Sequence, residues 1–269
     1  MRPGSAHGHR PRKRFGQHFL ADRAVVDAIV AAIDPRPGEA LVEIGPGLGA
    51  LTGPLVERCG ALTVVELDRD LAARLRGRRG LTVVEADVLT VDFRALAAER
   101  AQPLRVVGNL PYNISSPLLF HLATFEERLR DVHVMLQREV VARMTAVPGT
   151  PDYGRLTVML QARFAIARLF TVPPGAFRPP PKVESAVARL VPLRAARPRI
   201  SDEALFARIV AAAFGQRRKT LRNALAAIVP EDALRAAGID PAVRGETLAV
   251  EDFVRLTNGI ASSRETPSS

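Results

Sequence analysis

From Phe19 onward the chain alternates between two hydrophobic rhythms. The β-branched runs ALVEIG, LTVVEL, LTVVEAD, LRVVGN and DVHVML are nearly continuous in apolar residues, as strands buried on both faces are. Between them LTGPLVERC, RDLAARLRG, VDFRALAAE, SPLLFHLATF and REVVARMTA place apolar residues at helical spacing. FLADRAVVDAIVAAI, ahead of the first strand, has the same spacing and stops at Asp34-Pro35. Strand–helix alternation of this kind predicts an α/β fold, a doubly wound parallel sheet with helices on both faces. The pattern then changes. YGRLTVMLQARF reads as a helix, and IARLFTV and SAVARLVPL as two strands joined through FRPPPK. So short a connection predicts an antiparallel edge pair on the parallel sheet. LRAARPRI is a Pro/Arg linker. From Ser201, with Ser201 as the expected cap, DEALFARIVAAAF, TLRNALAAIV, EDALRAAG and VEDFVRLTNGI all read as helices. The expected organisation is a flexible basic arm over residues 1–14, a sheet domain over 15–194, a small all-α C-terminal domain over 195–261 and a disordered polar tail over 262–269.

Composition narrows the class. The 269 residues suffice for one large domain with a small companion. A single cysteine, Cys59, excludes a disulfide framework and points to a reducing, cytoplasmic setting. Five scattered histidines and no cysteine cluster argue against a metal site. No apolar run reaches the roughly 18 residues of a membrane span, and the arm lacks the apolar segment of a secretory signal. The net charge is +10, and only three of the 38 basic residues are lysine. Arginine grips phosphates bidentately and stacks on bases, so a polyanionic partner is the natural reading.

Candidate chemistry gathers at strand ends. EIGPGLGALT follows the first strand, and Gly45, Gly47 and Gly49 let the backbone turn into a helix close to a ligand. By itself this loop does not separate NAD from another adenosine cofactor. Glu66 ends the second strand, where a carboxylate can accept both ribose hydroxyls, and Asp87 ends the third, where an acid can accept from an adenine amine. Loop and acids together resemble the S-adenosylmethionine (SAM) site of Rossmann-like methyltransferases. Glu43, inside the first strand, either faces the same pocket or holds the loop.

The fourth strand ends in Asn109-Leu110-Pro111-Tyr112, which resembles the (N/D/S)-P-P-Y/F elbow of amino-group methyltransferases. An exocyclic amine on a purine is a poor nucleophile because its lone pair is delocalised into the ring. An asparagine oxygen and a backbone carbonyl aimed by Pro111 can accept its two N–H groups and localise that pair. Tyr112 can stack on a flipped-out base. In FRPPPKVES, Phe177 is expected to close over the base opposite Tyr112, with Arg178 and Lys182 on phosphates. Arg217, Arg218, Lys219 and Arg222 form a second basic cluster in the helical domain.

RKRFGQHFL, EIGPGLG, VVELD, EADVL, GNLPYNISSPLL, LQREVVARM, YGRLTVMLQ, FRPPPKVESAV and QRRKTLRNAL, in that order, are similar to the KsgA family, the SAM-dependent rRNA adenine N6,N6-dimethyltransferases. The likeness runs from about Arg12 to Thr257. It implies a Rossmann-like methyltransferase domain and a helical RNA-binding domain. It also implies dimethylation of two adjacent adenosines in the 3′-terminal hairpin loop of small-subunit rRNA, within an immature 30S-type subunit late in ribosome biogenesis, by a monomer. SAM contacts then fall on His18, Leu20, Gly45, Glu66, Asp87 and Asn109, with Gly47, Leu67 and Val88 beside them. Target-base contacts fall on Asn109, Leu110, Pro111, Tyr112 and Phe177. One departure is His18, where many relatives carry Asn.

Other readings compete. An Erm-type enzyme, which methylates a large-subunit rRNA adenine, shares the glycine loop and the elbow, but RKRFGQHFL, YGRLTVMLQ and FRPPPKVES read closer to KsgA. A ribosome assembly factor with dispensable activity, or a transcription-factor relative, would not need the intact elbow and acids. An NAD-dependent oxidoreductase rests on the loose glycine match alone.

Overall fold

In a computed structural model of the chain, residues 18–216 and 218–265 are described, with the side chains of the last two left aside. Seven strands form one sheet: β2 (Leu41–Ile44), β3 (Leu62–Glu66), β4 (Leu81–Glu85), β5 (Leu104–Asn109), β6 (Leu129–Gln137), β7 (Phe164–Val172) and β9 (Ser185–Pro192). Their order is β4-β3-β2-β5-β6-β9-β7. The first five are parallel; β9 runs antiparallel to both β6 and β7, the expected edge pair. Two short strands, β1 (Phe19–Leu20) and β8 (Phe177–Arg178), pair antiparallel outside the main sheet.

The period-two alternation of the strands splits the core into two layers. Val42, Ile44, Val106, Val132 and Val134 face α4 (Phe93–Arg100), α5 (Ser115–Ala123) and α6 (Arg138–Thr145) through Phe93, Leu118, Leu122 and Val141. Leu41, Leu62, Val64, Val107 and Met135 face α1 (Arg23–Ile33), α2 (Thr52–Cys59) and α3 (Arg69–Leu75) through Ile29, Ile33, Leu55 and Leu75. A third cluster joins Tyr153 and Val158 of the α7 region (helix Arg155–Gln161) to α8 (Glu203–Gly215), α9 (Leu221–Leu225), α10 (Glu231–Ala236) and α11 (Val250–Glu265). The small helical unit is therefore docked on the sheet domain through α7.

Several local expectations are corrected. FLADRAVVDAIVAAI is not one helix: Asp22 caps α1 by accepting from the Ala24 and Val25 N–H groups, which frees Phe19 and Leu20 to pair with β8. The helix in YGRLTVMLQARF ends at Gln161, and Phe164 already belongs to β7. Asp202, not Ser201, caps α8 through the Leu205 N–H, while the Ser201 hydroxyl donates to Asn258. TLRNALAAIV yields only the short α9. Helix α11 runs on to Glu265, past the expected tail boundary at residue 261.

The chain winds β2–β3–β4 to one side, then crosses to put β5 on the other side of β2. This strand-order reversal opens a crevice beyond the carboxyl ends of β2 and β5, where open α/β sheets bind ligands. At the opposite end of the sheet, buried Arg105 forks onto Asp131 with two 2.9 Å bonds. It also reaches Glu39 at 2.7 Å and the Ile33 and Asp34 carbonyls, tying the end of α1 to β5 and β6.

Candidate active site

One cavity lies in that crevice. His18, Leu20, Gly45, Gly47, Glu66, Leu67, Asp87, Val88 and Asn109 all line it, as do Leu110, Pro111 and Tyr112. The β2–β5 register explains the meeting of loop and elbow: Ile44 stands opposite Gly108, so Gly45 and Asn109 leave the sheet side by side. Gly108 permits this closeness, because a Cβ there would stand 2.6 Å from the Ile44 carbonyl oxygen. Gly47 has φ +56°, and a Cβ on it would lie 3.1 Å from the Phe19 ring. The glycines thus let β5 and the strap at residues 18–20 close on the loop.

The floor is acidic. Glu66 accepts from the Gly47 N–H at 3.2 Å and the Asp68 N–H at 2.9 Å; burial raises its pKa against these bonds. Glu43 lines the cavity, the first of its two expected placements, and its Oε2 accepts from the Thr52 hydroxyl at 2.7 Å at the start of α2. Burial, helped by the neighbouring Glu66 charge, pushes the Glu43 carboxyl up to about 7. Asp68 is buried and caps α3. Asp87 accepts from the Leu89 N–H at 3.0 Å through one oxygen, which leaves the other for a ligand. This donor set fits SAM: carboxylates for ribose hydroxyls and a cationic centre, and backbone drawn close by glycine.

At the elbow, the Asn109 amide nitrogen donates to the His18 carbonyl at 3.1 Å. Its oxygen is thereby the group left to accept. The Leu110 N–H donates to the Met135 carbonyl at 3.1 Å, fixing the elbow to β6. The Pro111 carbonyl accepts from the Ile114 N–H and the Ser115 hydroxyl, each at 3.2 Å. The Tyr112 hydroxyl lies 2.8 Å from Ser185 Oγ. Its ring stacks on that of His18 with centroids 5.7 Å apart and planes at 29°. His18 Nδ1 is 2.9 Å from the Pro179 carbonyl oxygen; a carbonyl only accepts, so Nδ1 carries the proton.

Phe177 is not at the cavity. It is wholly buried in the core layer behind β1, opposite Leu20 in the β1–β8 pair. Its ring packs in that layer with Leu20, Val172 and Ala176. The Arg178 guanidinium is turned onto the Gly175 and Phe177 carbonyls, while Lys182 is exposed beside the same loop. Arg218 and Lys219 are exposed ahead of α9, and Arg222 lies 3.9 Å from Glu231. Arg217 lies outside the described residues. Sequence reasoning passed over Thr52, Phe19 and Ser185. Each lies inside a quoted motif (EIGPGLGALT, RKRFGQHFL and FRPPPKVES), but nothing local in the sequence marks its role.

Crevice, glycine loop, strand-end acids and elbow together define a Rossmann-like methyltransferase. The chain belongs to the ribosomal RNA adenine dimethylase family, whose model matches residues 8–262. It is 62% identical to the ribosomal RNA small subunit methyltransferase A of Aromatoleum aromaticum over 94% of this chain and 96% of that one. It is 58% identical to the protein of the same name from Leptothrix cholodnii, over 97% and 94%. Among solved structures, a dimethyladenosine transferase from Plasmodium falciparum superposes with a TM-score of 0.77 at 24% identity, over 92% of this chain and 98% of that one. The 23S rRNA methyltransferase ErmE superposes with a TM-score of 0.65 at 29% identity, over 90% and 99%.

Proposed function

We propose that the chain dimethylates the N6 amines of two adjacent adenosines in the 3′-terminal hairpin loop of 16S-type rRNA. It does so on an immature small ribosomal subunit in the cytoplasm, with SAM as methyl donor. The observation that carries this reading is the Asn109 amide, held by the His18 carbonyl with its oxygen unspent, at the mouth of the cavity that Glu66 and Asp87 line. The choice of subunit is supported by the relatives at 62% and 58% identity, which are small-subunit enzymes by name, against 29% for ErmE.

SAM supplies a methyl already activated on a sulfonium. When it is bound, Glu66 would accept its ribose hydroxyls and Asp87 its adenine amine, and His18, Leu20, Leu67 and Val88 would enclose it. The flipped adenine stacks on Tyr112; in the first transfer its two N6 hydrogens go to Asn109 Oδ1 and the Leu110 carbonyl, and in the second the one remaining hydrogen goes to one of these acceptors. The Pro111 carbonyl is already engaged, which leaves Leu110 as the second acceptor. These bonds pull the lone pair out of the ring and aim it along the line of transfer, so positioning and electrostatics carry the step. The proton released after each transfer passes to water, with no strong base required. Arg178 and Lys182, with Arg217, Arg218, Lys219 and Arg222 of the helical domain, contact RNA phosphates.

Asn109→Ala is expected to lower methyl transfer by two orders of magnitude or more, on the scale of losing one preorganised hydrogen-bonding group (about 10²–10³). SAM binding, measured by calorimetry, should persist. A near-normal rate would remove Asn109 from the mechanism.

A further inference from the structure

Tyr112 leaves the sheet at the end of β5, yet its hydroxyl meets a residue of β9, two strands away across the end of β6. That spans about 10 Å at the usual strand spacing. The meeting depends on the antiparallel edge. The parallel strands end on this side of the sheet, whereas β9 runs the other way and begins here with Ser185. Ser185 is fixed there by pairing with Gln137 of β6 on one side and Val172 of β7 on the other. Its side chain is wholly buried, and its hydroxyl lies 2.8 Å from that of Tyr112.

We infer that Ser185 is a positioning residue for methyl transfer, acting through the Tyr112 hydroxyl to hold the aromatic platform at the angle the target base requires. The inference rests on the proposed activity. Unanchored, the phenol could turn about its side-chain torsions, held by its stacking on the His18 ring. A fully buried hydroxyl must also find a partner, and on β9 the reachable one is the phenol. The antiparallel edge of the sheet thus has a catalytic consequence: it places a short buried hydroxyl behind the aromatic platform.

A double-mutant cycle tests this. Ser185→Ala and Tyr112→Phe should each lower kcat/KM for small-subunit RNA by about fivefold to tenfold, the worth of one neutral hydrogen bond. The dissociation constant for SAM should not change. Ser185→Ala made in the Tyr112→Phe background should cost almost nothing further, and Ser185→Thr, which keeps the hydroxyl on a strand that suits β-branched residues, should restore the rate. Equal losses in both backgrounds would overturn the inference.

An activity-independent measurement accompanies the cycle. The chain has two tyrosines, so 3-fluorotyrosine labelling gives two fluorine resonances, assigned with Tyr153→Phe. Burial raises the Tyr112 pKa and the Ser185 hydrogen bond lowers it, so Ser185→Ala should move the Tyr112 titration to higher pH. An unmoved titration would refute the anchor. If wild-type protein transferred no methyl to adenine N6, the proposed activity would fail, and the fluorine titration would still decide the anchor separately.

Discussion

At the scale of single residues, the site works by spending some polar groups so that others stay available. The His18 carbonyl takes the Asn109 amide hydrogen, and Ile114 with Ser115 takes the Pro111 carbonyl. What is left, one amide oxygen and one backbone carbonyl, matches the two hydrogens of an adenine amine. Asn109→Asp exposes this logic. A carboxylate would face the His18 carbonyl with no hydrogen to give, so the variant should transfer methyl slowly at neutral pH and recover as the pH falls and the acid protonates. A flat pH profile would show that the carbonyl sets nothing. Glu43 makes a second prediction. Its pKa rises from the model-peptide value of 4.5 to about 7 on folding. A group raised in this way contributes stability below its unfolded pKa and loses it as the pH climbs through the folded one. Glu43→Gln keeps an acceptor for Thr52, so it should leave the protein's stability unchanged near pH 4 and raise it above pH 7, by on the order of 2–3 kcal/mol. Thermal unfolding of the ligand-free protein at the two pH values checks this, and an equal change at both would contradict it.

At the scale of elements, the parallel strands and their helices were legible because each carries its own signal, a buried apolar run or a 3.6-residue period. So were the glycine loop, the acids and the elbow, which follow those strands directly. What escaped depends on partners far along the chain. Phe19 and Leu20 continue a helical pattern until Asp22 caps it, and their pairing with Phe177 and Arg178 is a contact across about 158 residues. The burial of Phe177 follows from that pairing, so a ring expected over the base lies in the core. Ser185 has no local feature to separate it from any strand serine. Ser201 and Asp202 are both good caps, and only the position of Asn258 decides between them. The Arg105 network is likewise invisible in sequence. Arg105→Ala would leave Asp131 buried at 2% exposure without its forked partner. The expected loss of stability is about 3–5 kcal/mol, read by denaturant unfolding, with SAM affinity at the far end of the sheet little changed. A loss under 1 kcal/mol would mean that Arg130 and Arg189, which also reach these carboxylates, suffice without it.

At the scale of the whole molecule, the sheet supplies the cavity, the helical unit docks through α7, and a net charge of +10 surrounds both. If Arg218 and Lys219 contact phosphates, neutralising both should flatten the dependence of log affinity on log salt by about 2 units. The loss of affinity should be largest at low salt, where counterion release favours the wild type most, and should shrink as salt rises. Equal slopes would make these residues a solvated surface only. The central claim is about which base receives the methyl groups. The most direct measurement is to incubate the protein and isotopically labelled SAM with small subunits lacking the 3′-hairpin methylation, beside large subunits, and to map the labelled nucleotides by mass spectrometry. The account predicts N6,N6-dimethyladenosine at two adjacent positions of the small-subunit RNA and none on the large subunit. Label confined to the large subunit, or no label on either while SAM still binds, would contradict it.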